Sequence, residues 1–240
     1  MRKDAATPAS ARQAETRQVT VAPREAVTAR LYPARTERRA GVALILAHGA
    51  GAGQASPFMV RCAADLASRG IDAVTFNFLY TEHGRRLPDR NDRLEACWRA
   101  VIAAMRAEPS LAGSRLAIGG KSMGGRIASQ VAAGGDVGDL AGLVFLGYPL
   151  HPPGRPERLR SAHLPRIVEP MLFVQGERDS FGTPDELAPI IAALAPRAEL
   201  YVVAGGDHSF KRRKSDGLSQ AEAESAVQNK VERWLRQRVA

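Results

Sequence analysis

The chain has 240 residues, 45% of them hydrophobic, which suits one α/β domain with a sizeable buried core. Its formal charge is +9, and that number invites a nucleic-acid reading. The basic residues, mostly arginine, are interspersed with carboxylates along the chain, and no RNA-binding aromatic motif, zinc finger or helix-turn-helix pattern accompanies them, so no nucleic-acid partner is expected. Residues 1–16 are polar, rich in alanine and without periodicity, and read as a disordered tail before a single domain over 17–240. Met1-Arg-Lys-Asp leads into no apolar segment of the secretory kind, and no run is long enough to span a bilayer. A cytoplasmic protein with no membrane partner is the expectation.

Gln18–Ala22 and Ala26–Tyr32 are short β-prone segments that read as a hairpin at a sheet edge. Val42–Ala47 is an uninterrupted apolar run, the signature of a parallel strand covered on both faces. It empties into His48-Gly-Ala-Gly-Ala-Gly53, a loop whose backbone N–H groups are free of bulky side chains. Ser56-Pro57 starts a helix as N-cap and first residue, Phe58, Met59, Cys62 and Leu66 follow at helical spacing, and Gly70 stops it. Ile71–Phe78 is the next strand, and an Arg- and Pro-rich loop runs from there to Arg90. Leu94, Trp98, Val101 and Met105 mark an amphipathic helix. The two cysteines, Cys62 and Cys97, lie on inward helix positions and read as reduced core residues; nothing has metal-ligand spacing.

Arg115–Ile118 then leads into Gly119-Gly-Lys-Ser-Met-Gly-Gly-Arg126, and Ile127 and Val131 continue as a helix. A G-x-S-x-G between a strand and a helix is a nucleophile elbow: the turn is so sharp that residues two before and two after the serine must lack side chains, as Gly120 and Gly124 do. Gly142–Gly147 and Met171–Gly176 are further buried strands, with a polar, proline-bearing crossing over 151–170 between them. Thr183–Glu186 and Ser219–Glu222 are capping boxes at helix starts, flanking a last strand at Glu199–Ala204. Strands alternating with helices give a mostly parallel, doubly wound α/β sheet with helices on both faces.

Ligands bind beyond the carboxyl ends of such strands. Ser122, Asp179 and His208 fall there in the order serine, acid, histidine, the chain order of an α/β-hydrolase triad. Of the five histidines only His208 follows Asp179. Glu177 is the nearest rival to Asp179, Asp185 belongs to a helix start, and Asp207 reads as a loop residue. Backbone N–H groups of Met123 and of Ala50, with Gly51 as the alternative, are the candidate oxyanion donors; His48 reads as a residue that positions their loop. Neither glycine-rich stretch has the dinucleotide or P-loop spacing, so no cofactor is expected.

The four motifs around His48, Ser122, Asp179 and His208, taken as a set, resemble the α/β-hydrolase superfamily. Asn77-Phe78, Arg85-Arg-Leu-Pro-Asp89 and Gly147-Tyr-Pro-Leu-His-Pro-Pro153 resemble, more narrowly, a small dienelactone-hydrolase-like branch that also includes a testis-expressed protein and a subunit of a histone-acetyltransferase complex. The resemblance covers Val42 to the C-terminus. It implies the fold, the Ser122–Asp179–His208 triad and hydrolase activity on a small acyl substrate. It implies no particular substrate, and since dienelactone hydrolases proper use a cysteine where this chain has Ser122, their lactone is not inherited. The alternative is a non-catalytic interaction module on the same scaffold. Too few residues separate Gly147 from the next strand for a substantial lid, so an open cleft is expected, with Phe58, Leu79, Tyr80, Tyr148, Phe181 and Phe210 as candidate walls, each equally able to be core. Lys211-Arg-Arg-Lys214 reads as a solvated basic loop; recruitment of an acidic substrate is the sharper alternative, and the oligomeric state is left open.

Overall fold

The computed structural model describes residues 14–213 and 219–239. Eight strands form one sheet in the order β1-β2-β4-β3-β5-β6-β7-β8. They are β1 Glu15–Ala22, β2 Glu25–Tyr32, β3 Val42–Ala47, β4 Asp72–Phe76, β5 Arg115–Lys121, β6 Gly142–Leu146, β7 Met171–Gly176 and β8 Ala198–Val203. The helices are α1 Pro57–Ser68, α2 Leu79–Glu82, α3 Asn91–Arg106, α4 Met123–Gly134, α5 Pro184–Ala193 and α6 Gln220–Arg236. The first two strands form the expected antiparallel hairpin at one edge, β2 pairs antiparallel with β4, and from β4 to β8 every pairing is parallel.

Alternation within the apolar strands explains the layers. Ala43, Ile45 and Ala47 of β3 face the cluster built with α3, α4 and α5, whereas Val42, Leu44 and Leu46 face the cluster built with α1 and α6. All six residues of β3 are buried, as a central parallel strand demands. Each buried Leu, Ile or Val side chain contributes roughly 1.5–3 kcal/mol, so the centre of the sheet is the rigid part of the molecule.

Three differences from expectation have local causes. Glu15 and Thr16 already pair with Leu31 and Arg30, so the hairpin reaches into the segment read as a tail; residues 1–13 lie outside the described residues. The segment after β4 is not loop throughout: Leu79 and Tyr80 are buried, and their burial folds Leu79–Glu82 into a turn of helix. Ser56 does stand at the N-cap of α1 but its hydroxyl makes no capping bond. Thr183 and Ser219, by contrast, both close reciprocal capping boxes. Cys62 and Cys97 are buried and unpaired, and burial pushes their thiols up to about 12 and about 11.

The connection from β6 to β7 carries only a short 3₁₀ turn, Leu164–Arg166. No helical cap is inserted there, and the carboxyl ends of the strands are open. Among the described residues no helix is long and apolar enough to cross a membrane.

Candidate active site

Ser122 stands between the last residue of β5 and the first of α4, with φ 51° and ψ −118°. A non-glycine residue in that conformation costs on the order of 1–3 kcal/mol, and the surroundings must hold it there. Two glycines do so. A Cβ on Gly120, whose φ is +153°, would sit 2.3 Å from the Ala47 carbonyl oxygen. A Cβ on Gly124 would sit 2.3 Å from the same oxygen. The elbow is therefore pressed against the end of β3, and the Ser122 N–H donates to the Leu146 carbonyl at 3.1 Å on the other side.

His208 lies beyond β8. Its Nε2 is 2.8 Å from Ser122 Oγ, and its Nδ1 is 2.9 and 2.8 Å from the two carboxylate oxygens of Asp179. Asp179, beyond β7, is fully buried. One of its oxygens accepts the Phe181 N–H at 2.8 Å and the other accepts Gln175 Nε2 at 2.9 Å. An ionised carboxylate only accepts, so Nδ1 carries the imidazole proton and Nε2 offers its lone pair to the serine hydroxyl. Glu177, the rival acid, accepts the Gly205 N–H instead. Asp207 closes the turn after His208, accepting the N–H groups of Ser209 and Lys211 at 2.8 and 2.9 Å.

Three supports were not foreseen from sequence. Gln175 is the one amide in an otherwise apolar strand, and that mismatch was the available signal. Its Nε2 also faces the Tyr148 and Gly182 carbonyls at 3.2 and 2.7 Å, tying three segments to Asp179. Lys121 reaches back under the site and donates to the His208 carbonyl, with its ammonium 5.3 Å from the Phe210 ring centre. Burial lowers Lys121 to about 8, although Asp179 and Asp207 pull the other way. Phe181 packs on the imidazole of His208, ring centres 4.2 Å apart.

His48 is wholly buried, and burial lowers its pKa. The Phe78 N–H donates to its Nε2 at 3.4 Å, so Nδ1 donates to the Gly49 carbonyl at 2.9 Å. It thus fixes the loop after β3 to the chain before α2. A Cβ on Gly49 would lie 3.5 Å from Ser122 Cβ, so this loop borders the serine directly. Ala50 and Gly51 occupy the tip of a turn closed by the Ala52 N–H on the Gly49 carbonyl at 3.2 Å. Met123, first residue of α4, has no carbonyl within its helix to accept its N–H.

A cavity of about 930 Å³ opens over Ser122 and His208, and Ala50, Met123, Phe58 and Phe181 are on its wall. Tyr80, Tyr148 and Phe210 are not. Tyr80 is buried beside His48, with ring centres 5.9 Å apart. Tyr148 packs between Phe145 and Phe173 at 5.3 and 5.5 Å, and its hydroxyl donates to the Arg160 carbonyl at 2.7 Å. Phe210, at a positive φ of 61°, turns its ring beneath Phe58, 6.2 Å away. These three expected walls are core: each is buried and packed against an aromatic or imidazole neighbour. Leu79, also expected at the wall, is buried in the core as well. Among the described residues no cluster of three or more His, Cys, Asp or Glu side chains is placed to hold a metal ion.

Residues 40–236 match a family model described as an alpha/beta hydrolase domain. The chain belongs to the α/β-hydrolase family. Its fold is similar to that of a serine hydrolase without a lid from Xanthomonas campestris, at 20% identity and TM-score 0.71 over 95% of this chain and 98% of that one. A dienelactone hydrolase from Anabaena variabilis matches at 19% identity and TM-score 0.73 over 95% and 99%. A dienelactone hydrolase-like promiscuous phosphotriesterase from metagenomic libraries matches at 16% identity and TM-score 0.69 over 95% and 99%. In fold, then, this α/β-hydrolase resembles a serine hydrolase without a lid and two dienelactone-hydrolase or dienelactone-hydrolase-like proteins.

Proposed function

We propose that this protein is a serine hydrolase that cleaves carboxylic esters or related acyl compounds through an acyl-enzyme. The observation that carries the reading is the unbroken hydrogen-bond chain from buried Asp179 through His208 to Ser122 Oγ, ending in an open cavity. A strained serine held between glycines that leave no room for a side chain has no evident use in a mere scaffold.

In the forward step Ser122 Oγ attacks the scissile carbonyl carbon and its proton passes to His208 Nε2. The imidazolium so formed faces the Asp179 carboxylate, which stabilises it and keeps Nδ1 protonated. The carbonyl oxygen becomes an oxyanion, for which the Met123 and Ala50 N–H groups are the proposed donors; one such donor is worth about 2.7–4 kcal/mol. The tetrahedral intermediate collapses, the alcohol leaves with the proton from Nε2, and the acyl group stays on Ser122. Water then gives up a proton to Nε2 and attacks the acyl carbon, releasing the acid and restoring the serine. Besides the ester, water is the only other reactant in this sequence.

A panel of 4-nitrophenyl esters of increasing acyl length tests the proposal. Turnover by wild type, lost by at least ~10³-fold in Ser122→Ala, is expected. Equal rates in both proteins assign any hydrolysis to a contaminant or another group.

A further inference from the structure

The cavity crosses the carboxyl edge of the sheet, so its two ends are built by different faces. One end is formed with α1 and α6, where Arg61 is paired with Glu224 at 3.3 Å. The other is formed with α3, α4 and the β6–β7 crossing, and there Arg126 and Arg160 are on the wall, neither in an ion pair among the described residues. Arg126 donates to the amide oxygen of Gln130 at 3.1 Å and to no acid. Among the described residues the Arg160 guanidinium has no hydrogen-bond or ion-pair partner.

The acids nearby each hold another arginine. Glu95, whose charge reaches Arg126, is bonded to Arg99 at 3.1 Å, and Asp89, also on the wall, is bonded through Oδ1 to Arg85 at 2.7 Å, while its buried Oδ2 has no hydrogen-bond partner. His163, beside Arg126, is held down to about 4 by burial, so it is neutral at pH 7 and changes nothing. Burial lowers both arginines, and the charge of Arg160 lowers Arg126 further. Two guanidiniums partly withdrawn from water and repelling each other are an incomplete electrostatic arrangement.

Both are anchored through their backbones. Arg126 is one helical turn above Ser122, and its N–H donates to the Ser122 carbonyl at 3.1 Å. Arg160 is fixed through its backbone: its N–H donates to Leu150 at 2.8 Å, and its carbonyl accepts the Tyr148 hydroxyl at 2.7 Å. Guanidinium forks match carboxylate and phosphate oxygens in pairs.

We infer that Arg126 and Arg160 form an oxyanion-group subsite, so that the substrate is an ester bearing a second, anionic group, carboxylate or phosphate, a short spacer from the scissile carbonyl. This rests on the esterase reading of the same site.

The test compares 4-nitrophenyl hydrogen glutarate with methyl 4-nitrophenyl glutarate, which differ in charge on the acyl side. A second pair, 3-acetoxybenzoate with methyl 3-acetoxybenzoate, places the charge on the leaving group. Wild type should prefer the anionic member of one pair, and Arg126→Gln/Arg160→Gln should lower that anionic-to-neutral ratio of kcat/KM at least tenfold, mainly through KM. Arg160→Gln alone, on a loop, should lower it about threefold and serves if the double variant does not fold. An unchanged ratio in both pairs overturns the subsite. Should no ester be hydrolysed, the esterase reading falls and calorimetry on wild type decides the subsite, with glutarate and inorganic phosphate as separate probes. Binding of either that is lost with Arg160→Gln upholds it and tells carboxylate from phosphate; no binding of either overturns it.

Discussion

Replacing Asp179 by asparagine keeps the shape of the site and reverses its proton arithmetic. Both carboxylate oxygens are acceptors here: one takes the Phe181 N–H and the other Gln175 Nε2, and both face His208 Nδ1. Asparagine offers one oxygen and one NH₂. Whichever way it turns, its NH₂ meets a donor, either the Phe181 N–H or Gln175. If the NH₂ instead satisfies Nδ1, the imidazole proton moves to Nε2 and points at Ser122, where it can take no proton. A triad with the wrong tautomer loses about 10⁴-fold in kcat, roughly 5 kcal/mol of transition-state stabilisation. The unsatisfied buried donor costs a further ~1–3 kcal/mol of stability. At about 2–4 °C per kcal/mol for a chain of this size, Tm should fall by roughly 2–12 °C. Steady-state ester hydrolysis with thermal melting on the same preparation measures both. A folded Asp179→Asn protein within tenfold of wild-type kcat would refute the tautomer argument, and with it the role assigned to Asp179.

Gly124→Ala should lower Tm by several degrees and kcat with it, since the added Cβ meets the Ala47 and His48 carbonyl oxygens at 2.3 and 2.7 Å and backbone cannot rotate away; thermal melting and kinetics check it. His48→Ala should cut kcat about 10²-fold with a smaller change in KM, because the loop bearing Ala50 loses its hold on Gly49 and on the Phe78 N–H. His163 is lowered from 6.5 to about 4, so between those values the unfolded chain binds a proton that the folded chain refuses, and stability falls as pH drops from 6.5 towards 4. In urea titrations across that window His163→Gln should lose stability less steeply than wild type; identical slopes would contradict it. Lys121 works in the opposite part of the scale: its folded value, about 8, is below the ordinary 10.5, so wild type should gain stability relative to Lys121→Met as pH rises from 8 to 10.5.

The fold was legible because each strand carries its own signature. Val42–Ala47 is apolar without a break only because helices cover both its faces, and Gly120 and Gly124 flank Ser122 only because β3 presses on the elbow. Chain order and position beyond strand ends then singled out His208 and favoured Asp179 over Glu177, and the side chains of Asp179 and His208 do converge on Ser122. The cavity wall was less legible. Tyr148 and Phe210 stand just beyond strand ends, where a ring can turn up to the cleft or down to the core, and position along the chain does not encode that choice. Nor could sequence bring Arg160 and Arg126 to one cavity wall, since that needs the β6–β7 crossing to come up beside α4. Gln175 shows the intermediate case: an amide in an apolar strand announces a buried partner without naming it.

The central claim is that Ser122 is a nucleophile activated by His208. Labelling with a fluorophosphonate, followed by mass spectrometry of the modified peptide, tests it most directly. The expected result is a single adduct on Ser122 in wild type, absent in Ser122→Ala and at least ~10²-fold slower in His208→Ala. A folded wild type that takes no label, or one labelled equally fast without His208, would contradict the account.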